Sequence, residues 1–114
     1  MKHDVKILEL KADSTSLAVA DPGIVIAVAG DLIEFTNLTG DDATLFIAED
    51  GVLETVQPSV GTILRRGEHQ PYGVLPFPGT HEYQVRVTLS NRRQVFAIGA
   101  STPRIIIRSA TEVA

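Results

Sequence analysis

Apolar and polar residues alternate along several short stretches of this chain, most clearly after Pro78-Gly79. There Tyr83, Val85 and Val87 fall on one side of an extended segment, and Glu82, Gln84 and Arg86 on the other. A period of two marks a strand with one face in a core and one in water. Leu32–Asn37 has the same pattern, Leu32, Glu34 and Thr36 opposing Ile33, Phe35 and Asn37, and enters from a tight Ala29-Gly30-Asp31 turn. Val5–Ala12 is expected to be a first strand, at an edge because lysines flank and punctuate it. Ala43–Ala48 is another, Val60–Arg65 and Glu68–Leu75 are weaker ones, and Arg104–Ser109 closes the domain. Thr80–Leu89 and Arg93–Ile98, joined through Ser90-Asn91-Arg92, form a hairpin. Asp13-Ser14-Thr15-Ser16 and Asp21-Pro22-Gly23 are turns, and Glu49–Ser59 is an acidic loop with one short helical turn around Leu53–Val56. About eight strands with turns between them and no sustained helical period predict an all-β sandwich or barrel.

Two runs break the alternation. Ile24–Val28 is apolar throughout, and Ile105-Ile106-Ile107 sits between two arginines. A sheet with one wet face has every second residue polar, so something covers the outer side of these strands. The cover is the 49–59 loop, the 88–98 hairpin or another subunit. On the last option Val25 and Ile106 are the outward apolar contacts, and Arg92 and Arg93 present charge at the hairpin tip. The expected partner is a second copy of the chain or another protein.

The 114 residues make one domain, 1–114, large enough to bury roughly two-thirds of the surface its unfolded form exposes. There is no apolar run of membrane-spanning length and no cationic-then-apolar leader, so a soluble chain is expected. The compartment stays open, a mature exported form included. Residues 1–57 hold eleven acids against three lysines, and residues 58–114 seven arginines against three acids. Either the molecule is dipolar or the sandwich interleaves its halves and the charges mix. The net charge of −4 argues against nucleic acid as the partner.

The chain has no cysteine, which excludes disulfides, thiol nucleophiles, iron–sulfur clusters and any metal site built on thiolate. Its imidazoles are His3, His69 and His81. A divalent-metal site from His69, His81 and Glu68 is a candidate if their strands are neighbours; otherwise the two are unrelated exposed histidines. Asp41-Asp42 with Glu49-Asp50 matches no EF-hand spacing and reads as a solvated acidic rim. Asn37-Leu38-Thr39 matches a glycosylation sequon, a triplet that arises often by chance. Neither G-x-S-x-G nor H-E-x-x-H is present, so no catalytic residue is assigned and a non-enzyme is expected, with a small enzyme of unrecognised site as the remaining alternative.

Three pieces in order resemble the cupredoxin family. They are Val28-Ala29-Gly30-Asp31-Leu32-Ile33-Glu34-Phe35-Thr36-Asn37, the segment Leu64–Gly67 with Arg66 where proline is usual, and Pro78-Gly79-Thr80-His81-Glu82-Tyr83. The resemblance spans about residues 24–108 and implies an antiparallel Greek-key β-sandwich. It also implies where copper ligands would stand. The first histidine position falls near Ala43, in Asp42-Ala43-Thr44, and the cysteine position on Val85. Residues 86–104, where a second histidine and a methionine are due, contain neither. A blue site needs two imidazoles and a thiolate. The expectation is therefore a copper-free module without a cofactor, with metal handling through surface histidines as the alternative.

Overall fold

The computed structural model describes residues 1–12, 15–58, 60–99 and 102–109. Ten strands form two facing sheets, with no helix among the described residues. The strands are β1 (Lys2–Ala12), β2 (Thr15–Asp21), β3 (Ile24–Val28), β4 (Leu32–Asn37), β5 (Ala43–Ile47), β6 (Thr62–Leu64), β7 (His69–Gly73), β8 (Gly79–Thr88), β9 (Gln94–Phe96) and β10 (Arg104–Arg108). One sheet runs β2-β1-β4-β7; the other runs β3-β10-β8-β5-β6, with β9 also on β8.

Alternation sets the core. Val5, Ile7, Ala18, Ala20, Ile33 and Phe35 point inward from the first sheet, and Leu45, Tyr83, Val85, Val87, Ile105 and Ile107 from the second. Phe35 meets Tyr83 edge-on at 5.5 Å between ring centroids, a favoured aromatic geometry across the sandwich. Burial pushes the Tyr83 phenol above its ordinary range.

The expected all-β sandwich is present, its sheets mixed, since β1 lies parallel to β4 and β3 parallel to β10. Other expectations are corrected. The first strand is not at an edge: Thr15–Asp21 forms a strand outside it, so Thr15 and Ser16 of the expected Asp13–Ser16 turn belong to that strand, and Asp13 and Ser14 lie outside the described residues. The helical turn around Leu53–Val56 is absent; Thr55 adopts φ 65°, which no right-handed helix accommodates. Val52, Leu53 and Val56 instead bury into the core, so this segment closes the sandwich rather than covering the outer side of β3 and β10.

The expected hairpin is present. β8 runs on to Thr88, Arg92 takes a left-handed φ of 72° in the turn, and β9 returns along β8. Beyond it, the amides of Ala20 and Ile98 donate to the carbonyls of Ile98 and Ala18, tying this segment to β2 in the opposite sheet. The Glu9 carboxylate accepts from the Ser90 amide and hydroxyl, anchoring the turn to β1.

Between β3 and β4, Asp31 caps the turn. Its carboxylate accepts from the Val28 amide at 3.1 Å, from His3 Nε2 at 2.9 Å and from the terminal ammonium at 3.1 Å. The His3 bond, ahead of the amide and the ammonium, holds the Asp31 carboxyl down to about 2 against the opposing cost of desolvation. The Asp31 amide also donates to the Val28 carbonyl, so both backbone groups of Val28 are taken.

Candidate functional site

The pole that the ligand pattern points to is a packed apolar end. β5 and β8 are antiparallel neighbours, Leu45 opposite Val85 and Thr44 opposite Arg86, which puts Ala43 one step along toward Val87. Ala43 and Val85 are thus diagonal neighbours, both buried on the inner face of one sheet. Neither side chain carries a lone pair, and the chain has no thiolate. Val87 and Leu89, also buried, fill the space beyond. Among the described residues no cluster of three or more His, Cys, Asp or Glu is arranged to hold a metal ion. Copper does not fit these residues.

Asn37 organises the loop at this pole. Its Nδ2 donates to the carbonyls of Asp41 at 2.9 Å and Leu64 at 2.8 Å, and its Oδ1 accepts from the Thr39 amide and hydroxyl. The side chain is fully buried, so the sequon-like triplet presents no acceptor amide on the folded surface. Its signal in the sequence is a loop clamp.

The histidines do not converge. His69 lies on β7 in one sheet, exposed, with Nδ1 2.8 Å from Thr36 Oγ1; Glu68 precedes it, also exposed. His81 lies on β8 in the other sheet and is 2% exposed, which corrects the expectation of two exposed rings. It sits at an inward position in phase with Tyr83 and Val85. His81 Nε2–H donates to the Phe77 carbonyl at 2.7 Å, Nδ1 contacts Glu49 Oε1 at 2.8 Å, and the Phe77 ring packs on the imidazole with centroids 4.4 Å apart. Both ring nitrogens are spent inside the fold.

The outer face of the six-stranded sheet carries several exposed apolar side chains. β3 forms its margin, with β10 as its one neighbour among the described strands. Ile24 and Ile26 are 50% and 48% exposed, while Val25 is 3% exposed and packs inward opposite Ile105. Val25 as an outward contact is therefore corrected. A wholly apolar run does not reveal which residues face out, and register against β10 sets the phase. Ile106 turns outward, half-buried, beside Ile26, and no described segment covers these isoleucines. Farther across this face, Phe46, Phe96, Arg86, Gln84, Glu82 and Pro58 line an open groove of about 530 Å³, with the Arg86 guanidinium 5.4 Å from the Phe46 ring centroid. Arg92 and Arg93 are exposed at the β8–β9 turn; Arg92 borders a smaller recess of about 390 Å³ with Asp41 and Ser90.

No family model matches the chain, and no curated protein sequence matches it. Its fold is shared with solved structures. A purple cupredoxin from Nitrosopumilus maritimus superposes with a TM-score of 0.58 at 13% identity, over 93% of this chain and 99% of that one. A blue copper oxidase from Nitrosomonas europaea gives 0.57 at 17% identity, over 96% of this chain and 39% of that one. The reduced form of an amicyanin mutant gives 0.54 at 9% identity, over 94% and 82%. The chain has a cupredoxin-like fold.

Proposed function

We propose that this cupredoxin-like domain is a copper-free, non-catalytic binding and assembly module that associates with a second copy of itself along the β3 margin. One observation carries the reading: half-exposed Ile24 and Ile26 stand on a strand whose outer edge no described strand pairs, beside outward Ile106. Proteins protect such edges with lysine, proline, a bulge or a covering loop. Ile24-Val25-Ile26-Ala27-Val28 carries no charge and no proline, and its register against β10 is unbroken. The Arg92-Arg93 turn is an accessory charged contact. The metal-handling alternative draws no support from the geometry, because His69 and His81 lie in different sheets and His81 is saturated.

Light scattering over a rising concentration series tests this. Twice the chain mass is expected at high concentration, falling to the chain mass on dilution. A single chain at every concentration up to the millimolar range would remove the assembly reading.

A further inference from the structure

The backbone of β3 specifies how two copies meet. The Arg104 amide donates to the Gly23 carbonyl at 3.0 Å, and the parallel register pairs Arg104 with Ile24 and Ile105 with Val25. In a parallel ladder, alternate residues turn both their N–H and C=O to the same neighbour. Gly23, Val25 and Ala27 therefore face β10, and Ile24, Ile26 and Val28 face the open edge. Val28 is already satisfied, its amide and carbonyl bonded to Asp31. Among the described residues, what remains unpaired at the edge is the N–H and C=O of Ile24 and of Ile26.

We infer that β3 pairs antiparallel with β3 of a second copy about a two-fold axis through Val25, Ile24 of each chain opposite Ile26 of the other. This deepens the self-association reading and rests on it. An antiparallel hydrogen-bonded pair exchanges both of its bonds, so this register satisfies all the free edge groups and leaves Asp31 on Val28. An axis through Ile26 would set Ile24 against Val28, whose groups are occupied. On the outer face Ile24, Ile26 and Ile106 of both copies join in one apolar stripe. Charge favours the same direction. Exposed Asp21 lies just before β3, and exposed Arg108 lies beside its far end, opposite Val28. Antiparallel pairing brings the acid of each copy toward the arginine of the other, whereas parallel pairing sets like beside like. The two six-stranded sheets become one continuous sheet.

A chain without cysteine makes the register readable by disulfide trapping. Ile24→Cys and Ile26→Cys alter half-exposed side chains and leave the core intact. Directly opposed residues in a bonded pair have Cα atoms about 5.5 Å apart, within disulfide reach. Each residue and its own symmetry copy are diagonal, roughly 7–8 Å apart, and reach poorly. Under mild oxidation, each variant alone should stay uncrosslinked, and an equimolar mixture should yield the mixed covalent dimer. A covalent dimer from Ile26→Cys alone would overturn the register in favour of an axis at Ile26. A mixture that fails to crosslink while wild type scatters as a dimer would overturn edge pairing and leave self-association standing; a monomeric wild type would remove both. As a second variant, Ile26→Lys should remain folded by circular dichroism and scatter as a monomer. A dimer retained by Ile26→Lys counts against the β3 edge.

Discussion

Asn37→Ala is expected to lower the stability of the domain by about 3–5 kcal/mol, the largest loss of any single exchange outside the apolar core. The substitution leaves the Leu64 and Asp41 carbonyls without the Nδ2 donor, and the Thr39 amide and hydroxyl lose Oδ1 as an acceptor. The Asp41 carbonyl and the Thr39 hydroxyl keep each other at 3.0 Å, so the groups stranded are the Leu64 carbonyl and the Thr39 amide, at about 1–3 kcal/mol each. Against a typical domain stability of roughly 5–15 kcal/mol, the melting temperature should fall by about 15 °C or more. Asn37→Asp should be no better: it keeps the acceptor, removes both donors and sets a negative charge against two carbonyls. Leu38→Ala, on the exposed neighbour, is the control and should shift stability by less than about 0.5 kcal/mol. Equal thermal melts for Asn37→Ala and wild type would show that the loop is held by something else.

His81→Ala is expected to cost about 2–4 kcal/mol. The buried imidazole fills space under the Phe77 ring and straps the Phe77 carbonyl to Glu49 across the entry to β8. Alanine leaves a cavity and strands the carbonyl. Glu49 is half-exposed and regains water, so its share of the loss is small. Glu49→Gln keeps an acceptor facing Nδ1 and should cost under about 1 kcal/mol. Urea titrations of the two variants check this. If Glu49→Gln were the more damaging, the ion pair rather than the packed ring would be the structural element.

Much of this architecture is legible in the sequence because one wet face enforces a period of two. Tyr83, Val85 and Val87 face inward as their spacing predicts, as do Ile33 and Phe35. In Arg104-Ile105-Ile106-Ile107-Arg108 the flanking arginines fix the phase and put Ile106 outside. Ile24–Val28 offers no polar reference, so its phase depends on register with β10, a contact between residues about eighty apart in the chain. That is why Val25 and Ile24 exchange roles between sequence and structure. β2 is hidden for a similar reason: Leu17-Ala18-Val19-Ala20 is short, follows turn-forming residues, and is a strand by virtue of pairing with β1.

The polar clamps were less legible still. Asn37 sits in a sequon-like triplet and His81 at a strand start, positions where exposure is the ordinary expectation. Both are buried because tertiary partners satisfy them, Leu64 for one and Glu49 with Phe77 for the other. Periodicity carries no information about such partners. That Ala43 and Val85 offer no metal-ligating atom could be read directly, because it is a property of the residue types themselves.

The most direct test of the open β3 edge is amide hydrogen exchange at Ile24 and Ile26, followed by NMR at low and high protein concentration. In the single chain these two N–H groups point to an edge that no described strand pairs, while those of Val25 and Ala27 point to β10. Fast exchange is expected at Ile24 and Ile26 in dilute solution, slowing in step with the dimer fraction, with Val25 and Ala27 protected throughout. Exchange at Ile24 and Ile26 that is independent of concentration, in a sample that scatters as a dimer, would contradict pairing through this edge.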